Sequence, residues 1–444
     1  MMKTKLNLIL CAMLSTTLIA CGDSKTNITE KEPVVIPNPG GDDHSHDEVS
    51  SEGRLAFTTY GANEINIIDL EHKENIATIS TQGYAKYIYA TENKRYAVLA
   101  QVDDSQVQFL DGGIWQEDHG NHLHPYQEDP KLMDFHIDGV KPAHVTTSDD
   151  AVALFFDGND ETGDNAQVVM FNETHVAENS SEAPVLNYDT YMHGAAQARG
   201  EFLISTLRDA NSATSLPDKI ALYEAHGDHF HQEQVFDVSC PGLHGSAQNH
   251  DYVAFACTDG VVVIKQEGET FTASKIANTE DFAADQRIGT LKGHHDTEQF
   301  IGIAGNEMFI VDPEHGEIEK VQWYNASETY LSGGEFSFDG KYGITLEATG
   351  TLTIFEAYVD GGHAHWEVIH SIETSEHDIS EMPAKHSYRL AVSHYENVVY
   401  VSDPISKQVV KYDLATGQAV DEIELSFVPD RMVWLGIVGG AADH

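Results

Sequence analysis

Tyr96-Ala97-Val98-Leu99-Ala100 is a short, wholly apolar run, and it returns along the chain. The copies are Ala151-Val152-Ala153-Leu154-Phe155, Phe202-Leu203-Ile204-Ser205, Val253-Ala254-Phe255-Ala256, Phe300-Ile301-Gly302-Ile303, Tyr342-Gly343-Ile344-Thr345 and Val398-Val399-Tyr400-Val401. They are spaced by about 41 to 56 residues. Each sits in the same unit: a short strand, a polar turn, the apolar strand, then a β-branched strand and a weaker fourth. A further unit can be assembled from both ends of the body, with Arg431-Met432-Val433-Trp434 giving one strand and Arg54-Leu55-Ala56-Phe57 through Ile65-Asn66-Ile67-Ile68 giving the rest. Such closure removes the exposed sheet edges of an open array. The expected fold is all-β, a single β-propeller of about eight blades with seven as the alternative, its N- and C-terminal strands closing one blade. No long amphipathic helix competes, and the Trp-Asp repeat signature is absent.

Ahead of this body, Lys3 and Lys5 precede an apolar stretch from Leu6 to Ile19, too short to span a bilayer, which reads as a signal peptide over residues 1–20. Leu18-Ile19-Ala20-Cys21 looks like a bacterial lipobox, so Cys21 is the expected lipidation site, against the plainer reading of a signal peptide with a chance cysteine. Residues 21–52, with Pro33, Pro37, Pro39, Gly40 and Gly41, read as a flexible tether, and residues 53–444 as the metal-binding propeller. Gly22 after the cysteine, where an inner-membrane protein would carry a retention aspartate, points to the outer membrane on the periplasmic side.

The chain carries Lys+Arg 25 against Asp+Glu 72, and removing Lys3 and Lys5 with the signal takes the formal net charge from −47 to −49. Nucleic acid and anionic lipid surfaces are poor partners for it; the membrane is reached through the lipid anchor alone, and a monomer is expected. The acidic surface concentrates cations, although solubility or a saline habitat explains the charge equally simply. Cys240 and Cys257 flank a hairpin read as turning near Gln248 and Asn249, at equal distance from it. A disulfide is predicted in an oxidising compartment, with a free pair or a thiolate metal site as alternatives.

Histidine is the unusual residue, 25 in 444. Placed on the repeat, Lys141-Pro142-Ala143-His144, Met192-His193-Gly194 and Leu243-His244-Gly245 stand at the start of the innermost strand in three consecutive blades. His144, His193 and His244 should therefore face one another at one mouth of the channel, with Asp157 and Glu335 near them and His386 just upstream of the later position. Three imidazoles with water as a fourth ligand would suit zinc. Taken singly, each is more simply a hydrogen-bonded histidine at a strand start; the recurrence argues otherwise. A second group is read in loops between third and fourth strands: Asp118, His119, His122 and His124; His226, His229 and His231; His363 and His365. His44 and His46 in the tether suit transient capture. Only nine Met occur and none cluster, which argues against copper; imidazole with carboxylate points to Zn2+. The acidic run from Asp157 to Asp164 fails the EF-hand spacing. Peptidase, hydrolase-elbow and phosphate-loop motifs are absent.

The segments Glu117 to Pro125, Lys141 to His144 with Phe155 to Gly158, Cys240 to Gly245 with Cys257 to Gly260, and Val399 to Pro404 make the chain resemble the AztD-type periplasmic zinc metallochaperones. These are β-propeller proteins that pass zinc directly to the solute-binding protein of a zinc ABC importer. The resemblance implies zinc storage and transfer, with that solute-binding protein as partner, and no catalysis. Two readings compete with it: a metal-dependent periplasmic hydrolase or lactonase using the same three-histidine mouth, and a surface scaffold propeller on which the histidines are incidental.

Overall fold

The apolar runs form strands because both of their faces are covered. Arg54–Thr58, Tyr96–Gln101, Val152–Phe156, Phe300–Ala304 and Val398–Asp403 are buried at every position, which a sheet achieves only when other sheets pack against both of its sides. In the computed structural model, which describes residues 52–118, 123–148, 151–322, 331–360 and 363–439, these are the second strands of blades in a β-propeller.

Six blades are separate four-stranded antiparallel sheets. Two more, the third and fourth, share an eight-stranded sheet because their outermost strands meet in a parallel bridge at Val185 and His229. The count is thus eight. Innermost strands follow one another around the channel as Met432–Leu435, Tyr87–Ala90, Pro142–Thr147, Ala196–Arg199, Ser246–Gln248, Thr290–Lys292, Leu331–Phe336 and Arg389–Val392, each touching the next. Eight apolar clusters fill the gaps between neighbouring blades. Phe155 and Val168 of the third blade pack with Leu203 and Tyr223 of the fourth, and Leu55 and Phe57 of the first with Tyr400 and Ile423 of the eighth.

The first blade is closed by both chain ends. Met432–Leu435 pairs antiparallel with Arg54–Thr58, setting Trp434 opposite Leu55, and the Thr58 N–H donates to the Arg431 carbonyl at 2.9 Å. The outer strands are polar where the second strands are not: Glu74–Ser80 and His229–Val235 are largely exposed.

Away from the trio of histidines, half-buried Glu92 follows the innermost strand of the second blade. Its Oε1 accepts the Glu173 N–H at 2.7 Å while Oε2 is buried without a partner among the described residues, and burial pushes its carboxyl up to about 7. The folded state therefore holds this proton between the ordinary carboxylate range and pH 7, so stability is greatest at the acid side and is lost as pH rises through about 7. Glu92→Gln keeps the accepting oxygen and removes the charge. It should raise the melting temperature at pH 8 and leave it nearly unchanged at pH 5; equal melting of variant and wild type at pH 8 would show the carboxylate to be harmless there.

Candidate metal centre

Each histidine of the channel-mouth group is placed by a local device. In the third blade, Lys141 takes a left-handed backbone conformation (φ 56°) and its carbonyl accepts the Asp157 N–H at 3.0 Å. Pro142, at the first position of the strand where no ladder donor is needed, pairs with Phe156, and His144 pairs with Phe155. Ala143 is the extra residue of a bulge, a distortion that re-aims the neighbouring side chain.

The other two share an apolar-His-Gly pattern just before their strands. Met192 is buried and its N–H donates to the Asp157 carbonyl at 3.0 Å; His193 donates to the Ser215 carbonyl at 2.9 Å. Gly194 passes so close to the core that a Cβ there would lie 2.4 Å from the Phe155 ring and 2.5 Å from Thr206 Oγ1. Leu243 is likewise fully buried, the His244 N–H donates to the Ala256 carbonyl at 2.9 Å, and Gly245 (φ +82°) would bring a Cβ within 2.8 Å of the Gly289 carbonyl. An apolar anchor on one side and a glycine on the other fix the histidine between them.

The three imidazoles come together. Their ligand nitrogens all lie within 4.8 Å of one another, and Nε2 of His144 is 3.2 Å from Nε2 of His193. Two nitrogens on one tetrahedral zinc, each at roughly 2.0–2.1 Å from it, stand about 3.3 Å apart. The donor set and its spacing therefore fit zinc. Outside the trio, Asp157 Oδ2 holds His193 Nδ1 at 2.7 Å and the Gly289 carbonyl holds His244 Nδ1 at 2.8 Å. Each bond fixes a tautomer and leaves Nε2 for a metal. Asp157 thus orients the His193 ring, and its other oxygen, Oδ1, is buried with no partner among the described residues.

The electrostatics favour the neutral, ligating form. Burial first, then the neighbouring rings of His193 and His244, push His144 down to about 3. Burial also lowers His244 against the raising effect of the Gly289 carbonyl, and burial raises the Asp157 carboxyl against its bond with His193.

Among curated proteins the chain is similar to a zinc chaperone, AztD of Citrobacter koseri, at 23% identity over 407 residues, 88% of each chain. The likeness is to AztD. Structures of the Citrobacter koseri AztD superpose with a TM-score of 0.72 at 22–23% identity, covering 87% of this chain and 99% of theirs. A dihydro-heme d1 dehydrogenase, NirN, matches more loosely, with a TM-score of 0.56 at 12% identity over 87% of this chain and 76% of its own. No protein-family model matches. The likeness to the AztD structures shows a shared fold; at this identity the histidine trio rests on its own geometry.

Not every residue expected at the mouth is there. Aligning the second strands, with Phe155 against Leu346, sets Gly333 at the position of His144, so Glu335 lies two residues farther along its strand. At about 3.3 Å per residue that is roughly 7 Å down the channel. There Glu335 pairs with Lys292 at 2.8 Å, lining a cavity of about 1040 Å³ with Thr147, Arg199 and Gln248, residues from the opposite ends of the strands that start near the trio. His386 precedes the innermost strand of the eighth blade, three blades from either edge of the trio, and its ring lies 5.6 Å from that of Tyr60. Sequence reading also passed over His250, His294, His295 and His394, which line the same cavity; they follow the ends of their innermost strands, whereas the trio stands at or just before the starts of its strands.

Of the loop histidines, those among the described residues are on strands instead. Ile114–Asp118 and Leu123–Gln127 form a two-stranded hairpin inserted in the second blade, pairing Glu117 with His124, and the His124 ring packs on Tyr126 at 4.7 Å. His119 and His122 lie outside the described residues, as do His44, His46 and Cys21, and nothing is described of the Asp118 side chain. His226 and His229 flank the turn of an antiparallel hairpin, with His231 two residues beyond. His363 and His365 belong to His363–Glu373, where His365 Nδ1 meets Glu319 at 3.2 Å. Alternating His-x-His reads as a loop only while its strand partner is unknown.

Cys240 and Cys257 are joined in a disulfide. The hairpin turns slightly later than read, pairing Ser246 with Phe255, so the strand register carries His244, and not Cys240, towards Cys257. Residues 240–245 double back to make the bond. The same segment is held by the Thr258 N–H on the Pro241 carbonyl at 2.8 Å and by Arg287 on the Gly242 carbonyl.

Proposed function

We propose that this chain is an exported zinc-binding protein that stores Zn2+ and passes it to the solute-binding protein of a zinc ABC importer. The observation that carries the reading is the trio of His144, His193 and His244 with ring nitrogens within 4.8 Å of one another, two of them oriented from behind by Asp157 and Gly289. The likeness to a zinc chaperone over 88% of the chain supports the direction of the assignment. Three neutral imidazoles with one open position bind zinc tightly and leave a side from which an incoming ligand can take it. On this reading residues 1–20 are a signal peptide, Cys21 carries the lipid that holds a monomer at the periplasmic face of the outer membrane, and His44 and His46 on the tether capture zinc transiently.

The test is transfer. Zinc-loaded protein is mixed with the metal-free solute-binding protein, and zinc in the separated partner is followed in time. Delivery faster than zinc is lost to a chelator in the absence of the partner is expected; delivery no faster than that loss reduces the protein to a store.

The open position also suits metal-dependent hydrolysis. Zinc-dependent turnover of ester or lactone substrates would favour that reading over a chaperone.

A further inference from the structure

The outer hairpin of the fourth blade gathers metal-binding groups that the channel mouth does not use. Lys219–His226 runs to a turn at Gly227-Asp228, where Gly227 has φ +68°, and returns as His229–Val235. Pairing sets Glu224 opposite His231 and His226 opposite His229. Between them Ala225 and Phe230 pack against the core shared by the third and fourth blades, so the alternation of a strand turns the two histidine-bearing pairs outward. A register slip at Leu222 and Tyr223 leaves Glu233 as the additional residue of a bulge.

That face is crowded with donors. Oxygens of Glu224 and Glu233 and a ring nitrogen of His226 lie within 4.8 Å of one another, with His226 Nε2 3.5 Å from Glu224 Oε2. Nε2 of His229 is 3.1 Å from Nε2 of His231, and the His231 ring lies 4.4 Å from that of His226. Two imidazole nitrogens so close cannot both carry protons; they share one or accept a common cation. The spacing again matches the edge of a tetrahedral zinc site, about 3.3 Å.

We propose that this hairpin is a second, solvent-open site for a zinc-class divalent cation, held by Glu224, His226 and Glu233 with His231 and His229 beside them. The site stands independently of the channel mouth, whose three histidines are half-buried while His226, His229, His231 and Glu233 are exposed. Exposure and carboxylate ligation make it the weaker and faster-exchanging of the two, in a chain whose net charge of −47 raises the cation concentration around it.

The experiment is a Zn2+ titration of the metal-free full chain against a competing chromophoric chelator. Wild type, His226→Gln/His229→Gln/His231→Gln and, separately, His144→Gln/His193→Gln/His244→Gln are compared. The hairpin variant should lose one equivalent from the weaker class and keep the tight one, with an unchanged metal-free melting curve because the altered side chains are exposed. An unchanged number of equivalents at unchanged affinity overturns the proposal. Loss of the tight class alone in the mouth variant supports both sites, whereas its persistence there sinks the channel-mouth reading and leaves this one standing. Glu224→Gln/Glu233→Gln, which retains every imidazole, should weaken the hairpin class at least about tenfold; no change would overturn the mixed ligand set.

Discussion

Replacing His193 with alanine is expected to lower the affinity of the tight zinc class by more than about 100-fold, and Asp157→Asn by about 10–100-fold. His193 is the middle member of the trio: its ring centroid lies 4.7 Å from that of His144 and 5.2 Å from that of His244, so its loss removes one ligand and the neighbour of both others. Asp157 acts through it. The carboxylate bond to Nδ1 fixes the ring and makes the opposite nitrogen a better donor, and an amide keeps the bond while removing the charge. His193 is not part of an apolar cluster, so melting of the metal-free protein should change little, and a chelator-competition titration reads the ligand effect alone. Zinc affinity within about threefold of wild type for His193→Ala would return these histidines to decoration of a scaffold.

Removing the disulfide should cost the fold about 3 kcal/mol and weaken zinc at the same time. Cys240 and Cys257 enclose a short loop, with a sequence separation of 17, and both are fully buried in the core between the fourth and fifth blades. The constraint they impose has a local consequence, because the segment they pin ends at His244. In a Cys240→Ala/Cys257→Ala variant, only hydrogen bonds would hold that segment down, among them those to the Asp218, Pro217 and Ala256 carbonyls and from Thr258 and Arg287. Urea unfolding measures the first effect and chelator competition the second. Lower stability with unchanged zinc affinity would make the bond a staple that does not position the ligand.

How much of this was legible depended on the period of the signal. Seven apolar runs and a split eighth unit announced a closed ring, since a strand buried on both faces is apolar throughout and recognisable without its partners. The trio was readable because the three histidines stand at or just before the start of equivalent strands in successive blades. Glu335 was misplaced by two residues because its unit has a different spacing, and a small offset along a strand moves a side chain several ångströms towards another partner, here Lys292. Glu224 and Glu233 were overlooked beside His226 because exposed glutamates carry no periodic signal.

By itself, the sequence determined the all-β repeat, the chain-end closure and the residues that could meet at one mouth, because these follow from which positions must be apolar and where the pattern recurs. Tertiary structure alone decided which oxygen holds which imidazole, that Asp157 orients His193, that Cys240 reaches back to fix the His244 segment, and that the outer histidines lie on paired strands. Those outcomes depend on register, bulges and doubled-back segments, which arise only when distant parts of the chain pack together.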